Sequence, residues 1–348
     1  MVDTADRGVD TVGWGIAGCG WVARDYGTPA IVGSGNGRLL ALYDPDPAAL
    51  ESIAPHDRTI ARETSLDRFL RTPGLRAVYV AAPNHVHRTL VEAAARAGCA
   101  VLCEKPMALD AEDARAMVEA CDRHGVFYAT AFDQRFHAAH RHAAGMVAEG
   151  TIGRPAALRI VYACWVGSSW SDDNWRIDPA RAGGGAFFDL APHGLDLAAM
   201  LLGEPIDVAH AVGQHRVQDY ARAEGGVDDG ALVAARTGSG VLVQLHVAYN
   251  CPEFLPRRQL EILGDRGQIT LTDTMGQTPG GTLTLHTADE MREVAVEGIG
   301  HSPFATQVEA FADHLLGARR FGFTARQDLH TMTLLARLRD QIASSREH

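Results

Sequence analysis

A chain of 348 residues with 46% hydrophobic and 22% charged residues is of ordinary globular composition and long enough for two hydrophobic cores. Its net charge of −11, with no basic run, argues against a nucleic-acid partner, whose phosphates demand clustered positive charge. No stretch approaches the roughly 18–20 uninterrupted apolar residues of a membrane span, so no membrane partner is expected.

Residues 1–10 are polar and acidic, unlike a signal peptide, and are expected to form a flexible tail. From 11 to 135, short apolar runs alternate with longer amphipathic stretches. Residues 12–17, 39–43, 77–82, 100–103 and 126–131 read as buried strands, with helices between them, for example over 89–97 and 111–123. Fully apolar strands alternating with helices predict a parallel, doubly wound α/β sheet of the Rossmann kind. From 136 to 348 the pattern changes to short β-rich runs at 159–165, 231–236, 241–248, 259–263, 267–272, 282–286 and 292–296, several separated by glycine turns. These predict an α+β domain built on a large, open, mostly antiparallel sheet. Helical patterns over 192–202, 304–316 and 327–342 are expected to cover one of its faces. The last of them is placed to pack back on the first domain. The other face is left for a homodimer or homotetramer contact.

The six cysteines, Cys19, Cys99, Cys103, Cys121, Cys164 and Cys251, form no C-x-x-C pair and are expected as free thiols of a cytoplasmic protein. The sixteen histidines offer no helix pair with a partner ligand, so no metal site is expected.

Gly18-Cys19-Gly20-Trp21-Val22-Ala23 follows the first strand and opens a helical pattern, the context in which a G-x-G-x-x-A run binds a dinucleotide. The first glycine permits the tight turn. The second lets the backbone approach a pyrophosphate, and the small Ala23 lets helix and strand pack closely. Asp44 ends the second strand, about twenty residues on, as expected for the acid that binds the ribose. Asp44 and Asp46 put two carboxylates where a 2′-phosphate would lie, and this repulsion favours NAD over NADP.

Two later strand ends should face the same crevice. One is Pro83-Asn84-His85-Val86-His87. The other is Glu104-Lys105-Pro106, which carries the only lysine among 32 basic residues. Lysine is a compact point charge where arginine is a planar fork, so its single use at a strand end in a dinucleotide crevice is informative. Further on, Trp175-Arg176, Gly183-Gly184-Gly185 and Asp189-Leu190-Ala191-Pro192-His193 form a second dense segment. Pro192 suits the first turn of a helix, with Asp189 just before it and His193 one turn on. Trp165, Trp170 and Trp175 precede this segment and offer faces on which a sugar ring can stack.

Together these motifs resemble the Gfo/Idh/MocA family (glucose–fructose oxidoreductase, inositol dehydrogenase and rhizopine-catabolism proteins) over nearly the whole chain. The E-K-P and D-x-x-x-H elements, in that order, are the specific part. The resemblance implies hydride transfer between a nicotinamide cofactor and a secondary alcohol or ketone of a sugar or cyclitol. It implies a catalytic group of Lys105, Asp189 and His193. His193 is the general acid/base, Lys105 stabilises alkoxide charge, and Asp189 orients the histidine or binds an adjacent hydroxyl. It assigns cofactor contacts to Gly18, Gly20, Trp21, Val22, Asp44, Pro83, Asn84, His87, Glu104, Lys105 and Arg176. Trp170, Trp175 and Arg135 are weaker substrate candidates. Two departures stand out: Ala191 replaces the family's glycine in D-x-G-x-H, and Phe132-Asp133-Gln134-Arg135-Phe136 matches N-x-R-R-F only in part. Two rival functions are an NAD-dependent glycoside hydrolase working by transient oxidation and a non-catalytic dinucleotide sensor. The complete Lys105, Asp189 and His193 set argues against the sensor.

Overall fold

A computed structural model of the protein describes residues 11–345 apart from 55, 171 and 172; the expected tail over residues 1–10 lies outside the described residues. Six strands, β1 (Val12–Ala17), β2 (Gly37–Tyr43), β3 (Ala61–Glu63), β4 (Ala77–Val80), β5 (Ala100–Cys103) and β6 (Tyr128–Thr130), form one sheet in the order β3-β2-β1-β4-β5-β6. Every pairing in it is parallel. β1, β4 and β5 are buried along their whole length, as a sheet covered on both faces requires. The strand order reverses between β1 and β4, which opens a ligand crevice at their carboxyl ends.

The second sheet has eight strands: β7 (Pro155–Ala163), β8 (Ile206–Gln214), β9 (Gly230–Thr237), β10 (Leu242–Ala248), β11 (Arg258–Gly264), β12 (Gly267–Thr272), β13 (Thr282–Thr287) and β14 (Met291–Glu293). Their order is β14-β13-β12-β11-β7-β10-β9-β8, antiparallel except for β10 beside β7. Its strands alternate between buried and exposed residues, so one face is apolar and the other open. On the open face Val212, Leu232 and Leu242 are exposed at 68%, 46% and 61%.

Five elements depart from expectation. The edge strand β8 and the helix Ala138–Ala148 had no expected counterpart. The strand expected over 292–296 ends at Glu293. The helix Pro303–Leu315 packs on the parallel sheet and not on the second one: Phe311 meets Trp14 at a ring-centroid distance of 5.2 Å, and Phe304 stacks on Tyr26. The helix expected to begin at Pro192 begins instead at Ala186 and carries Pro192 in its interior. Its start is capped from a distance. The Asp228 carboxylate accepts from Gly185 N at 3.0 Å and Phe187 N at 2.7 Å. A Cβ on Gly185 would stand 1.9 Å from Asp228 O, so this glycine is required by close approach.

Helices Ala186–Leu202 and Ala325–Ser345 cover the closed face. The latter also reaches the parallel layer, where Thr130 N donates to Asp328 Oδ2 at 2.9 Å and Arg339 donates to Leu109 O at 2.5 Å.

Candidate active site

The crevice at the switch point is a cavity of about 930 Å³ that runs from Gly18, Gly20 and Asp44 to Lys105 and Asp189. Gly18 has φ +95°, and a Cβ there would stand 2.6 Å from the Ala82 backbone. The turn therefore sits against the end of β4, which only glycine allows. Gly20 is different: apart from its chain neighbours, no atom among the described residues lies within 4 Å of its absent Cβ. Its bareness serves no packing inside the chain and leaves room for a ligand's backbone-close approach. The helix begins at once, with Arg24 N bonded to Gly20 O at 2.9 Å, so its N-terminus points at that space. Trp21 and Val22 line the same wall.

Asp44 is held by two backbone donors, Cys19 N on Oδ2 at 2.8 Å and Asp46 N on Oδ1 at 2.9 Å. Asp46 caps the helix Pro47–Glu51 through Ala48 N at 2.9 Å. Nearby cations are committed elsewhere. Arg62 donates to the carbonyls of Ile53, Ala54, Asp57 and Ile60, and Arg24 forks onto Asp25 at 2.7 and 3.0 Å.

At the next two strand ends, Pro83, Asn84, Glu104 and Lys105 line the cavity. Asn84 is tied to Ala182 O at 2.8 Å. His87, expected at the cofactor, lies behind the wall. Its ring is fully buried, with Nδ1 3.1 Å from Pro106 O and Nε2 2.8 Å from Ala82 O. It joins the two strand-end loops, and burial holds its pKa below the usual histidine value.

Lys105 Nζ donates to Asp189 Oδ1 at 2.5 Å and to Asp189 O at 3.0 Å. Tyr249 OH donates to Asp189 Oδ2 at 2.5 Å, and Arg176 Nε stands 4.0 Å from the same oxygen. Burial alone would raise the Asp189 pKa. The Lys105 and Arg176 charges and these hydrogen bonds outweigh it and hold the group ionised well below the usual carboxylate range. Glu104 accepts from Tyr79 OH and from Lys105 N; burial raises its pKa.

His193 lies one turn along the helix from Asp189 and is only 5% exposed, between the rings of Tyr162 and Phe132 at 5.7 and 6.4 Å. Burial first, and the Lys105 ammonium second, push its pKa well below the usual histidine value. It is a neutral imidazole at physiological pH. The structure brings no hydrogen bond between it and Asp189, whose carboxylate oxygens face Lys105, Tyr249 and Arg176. The carboxylate beside the His193 ring is Asp133, with Oδ1 3.5 Å from Nδ1.

The aromatic residues form a roof. Trp170 meets Trp21 edge-on at 5.5 Å. The Arg176 guanidinium lies 4.7 Å from the Trp175 ring, 5.1 Å from Trp170 and 5.8 Å from Trp21, within cation–π range. Arg135, a weaker substrate candidate, is elsewhere. It is 2% exposed and bonds Asp196 through Nε at 2.8 Å and Asp328 through Nη2 at 2.7 Å. It ties the helices Ala186–Leu202 and Ala325–Ser345 together, a role set by two acids distant in sequence. Tyr249, Tyr162 and Asp133 went unread as site residues. Tyr249 directly follows β10 and Tyr162 is the penultimate residue of β7, neither with a local cue, and Asp133 stands inside the partial N-x-R-R-F match.

Comparison with known proteins agrees with this arrangement. Residues 12–132 match the model of an oxidoreductase family with an NAD-binding Rossmann fold, and residues 140–270 match the GFO/IDH/MocA C-terminal domain. The chain is 33% identical to the 1,5-anhydro-D-fructose reductase of Ensifer adhaerens over 280 residues, covering 79% of this chain and 80% of that one. It is 30% identical to an inositol 2-dehydrogenase of Rhizobium meliloti over 231 residues, covering 66% of each. In three dimensions it superposes on the aldose-aldose oxidoreductase of Caulobacter crescentus with a TM-score of 0.85 at 24% identity, covering 96% of this chain and 98% of that one, which shows a shared fold. A Rossmann sheet joined to an open second sheet, with Lys105 and Asp189 meeting at the crevice and His193 buried one helical turn from Asp189, accompanies these matches, and the chain is an oxidoreductase belonging to the Gfo/Idh/MocA family.

Proposed function

We propose that the protein transfers a hydride between NAD(H) and a secondary alcohol or ketone of a sugar, sugar derivative or cyclitol, with His193 as general acid/base. The observation that carries this reading is a Lys105–Asp189–Tyr249 network at one end of the cavity with a buried histidine, His193, one helical turn behind Asp189. The cavity fits a dinucleotide: Gly20 leaves backbone-close space, a helix N-terminus faces it, and Asp44 presents a carboxylate beside the turn. A bound nicotinamide dinucleotide supplies the hydride acceptor or donor.

The chain's own residues do the rest. His193 takes the hydroxyl proton. Lys105, fixed by Asp189, keeps an N–H directed at the same oxygen and stabilises developing negative charge. Tyr249 and Arg176 hold Asp189 ionised, so the Lys105 charge stays balanced without being lost. Trp170 and Trp175 stand at the mouth, placed to stack on a ring. Asp44 and Asp46, with Arg62 spent on carbonyls and Arg24 on Asp25, support NAD over NADP. The exposed apolar residues of the second sheet support a homodimer or homotetramer through that face.

The test is a panel of aldoses, inositols and 1,5-anhydroketoses with each cofactor, following nicotinamide absorbance. The reading predicts turnover with at least one secondary alcohol or ketone and a preference for NAD. Tightly held NAD with no net absorbance change during cleavage of a glycoside would favour the hydrolase instead.

A further inference from the structure

Behind the cavity, Asp133 and His193 form a buried pair. His193 Nδ1 is sealed from solvent and has no hydrogen-bond partner among the described residues. It lies 3.5 Å from Asp133 Oδ1. Asp133 is itself only 3% exposed, and its Oδ2 already accepts from Gln134 Nε2 at 2.8 Å. Oδ1 is therefore the oxygen left for the ring. Asp189 does not compete for it, since its two carboxylate oxygens are engaged by Lys105 and Tyr249.

The proton has to go somewhere. A neutral His193 that takes a hydroxyl proton at Nε2 becomes an imidazolium, which burial and the nearby Lys105 ammonium both oppose. An ordinary aspartate, with a pKa of about 3.9, would steady that cation without taking its proton, as in serine proteases. Asp133 is not ordinary. Burial first, and the Glu104 carboxylate second, raise its pKa to about 7. The other ionisable groups around the pair are Glu104 and Lys105 after β5, Tyr79 on β4, His140 on the helix Ala138–Ala148, Tyr162 on β7 and Asp189. Burial drives both tyrosines above their usual range and His140 down to about 3.

We propose that Asp133 is a positioning residue that acts through His193 and ends the reaction as the holder of the substrate's hydroxyl proton. This rests on the hydride-transfer reading above. In the oxidative direction the substrate O–H bond breaks and its proton bonds to His193 Nε2. The Nδ1–H bond breaks and that proton bonds to Asp133 Oδ1. The carbinol C–H electron pair leaves as hydride for the oxidised nicotinamide cofactor, and the C=O bond forms. The imidazole begins and ends neutral with its tautomer exchanged, and the carboxylate becomes a carboxylic acid. Reduction runs the same steps backwards. At 3.5 Å the pair is longer than a formed hydrogen bond; catalytic contacts of this kind shorten when substrate closes the site.

The experiment compares wild type with Asp133→Asn, Asp133→Glu and Glu104→Gln. An asparagine keeps the shape and cannot take the proton. For Asp133→Asn the expected result is a kcat lower by about 100-fold, in the range of lost acid–base catalysis, with KM within about twofold of wild type. The wild-type limb near neutrality, rising with pH for oxidation and falling for reduction, disappears. Asp133→Glu recovers part of the rate and the limb, and Glu104→Gln keeps a limb moved to lower pH, because a carboxylate that raises the Asp133 pKa is gone. A second readout needs no substrate. In protein labelled with ¹⁵N-histidine, the His193 signals, assigned by their loss in His193→Gln, should change tautomer near neutral pH in wild type and not in Asp133→Asn. The proposal is overturned by an Asp133→Asn enzyme with wild-type kcat and pH profile, by a slow one that keeps the limb, by loss of the limb in Glu104→Gln alone, or by a His193 tautomer that ignores pH in wild type. A wild type inactive on every alcohol and ketone tested would instead sink the hydride-transfer reading, while the histidine spectra still decide the proton pairing.

Discussion

The two ends of the cavity are built in opposite ways. At the nucleotide end, Gly18, Gly20, the helix start at Trp21 and the Asp44 carboxylate come from two adjacent strand ends, and their contacts are mostly backbone ones close in sequence. At the reacting end, Lys105 meets Asp189 across 84 residues, Tyr249 meets Asp189 across 60, and Asp133 meets His193 from a different element. A turn of local residues makes a binding surface out of backbone groups and one carboxylate. A buried network of remote charges sets proton affinities, because each ionised group there is felt strongly by the others. The difference teaches where chemistry, as opposed to binding, is stored in this molecule.

Substitutions at the two ends should therefore separate kcat from cofactor affinity. The largest effect is expected at His193: His193→Gln should lower kcat by about 10²–10⁴-fold, the range for a lost general acid/base, while fluorescence titration shows cofactor affinity nearly unchanged. Lys105→Arg should follow, with a loss of about 10²–10³-fold, the size of one removed oxyanion donor, because the fork does not reproduce the point contact. Asp44→Ala at the other end should reverse the pattern. Cofactor binding weakens by roughly 1.5–3 kcal/mol, about ten-fold to a hundred-fold or more, as for a lost hydrogen bond to a charged group, with kcat at saturating cofactor little changed. A matched loss of kcat and affinity at all three positions would erase the contrast.

Stability gives the smaller effects. Asp228→Ala removes the cap from Gly185 N and Phe187 N and should cost about 1–3 kcal/mol by denaturant unfolding. Asp133 contributes through pH. Its folded pKa, about 7, is raised above the unfolded value of about 3.9, so its protonated form favours folding. That contribution is fully present below about pH 4 and is lost as pH rises through about 7. Asp133→Asn should accordingly raise Tm at pH 8 and give no such gain at pH 4. An equal shift at both would contradict the raised proton affinity.

Much of this was legible in sequence, and the pattern of hits follows the same contrast. Strands β1, β5 and β12 were read at their true bounds because an uninterrupted apolar run or a glycine turn marks each end. The glycine turn, Asp44 and the unusual Lys105 were legible because their chemistry is local. The helix bearing Asp189 and His193 was misread at its start because its cap is Asp228, some forty residues downstream, and Pro192 looked like a beginning. Arg135 looked like a ligand for substrate because nothing local showed that Asp196 and Asp328 already hold it. Asp133 had no period, cap or glycine to announce it; its importance is a property of what surrounds it in the fold.

The central claim is that one fixed ammonium at the cavity end supports the chemistry. The chain carries one lysine, so an amine-selective reagent has only Lys105 and the N-terminal amine to modify. Peptide mass mapping can follow Lys105 occupancy beside activity. The account predicts that activity falls in proportion to Lys105 modification and that saturating NAD protects both together. Full activity in protein whose Lys105 is completely modified would contradict it.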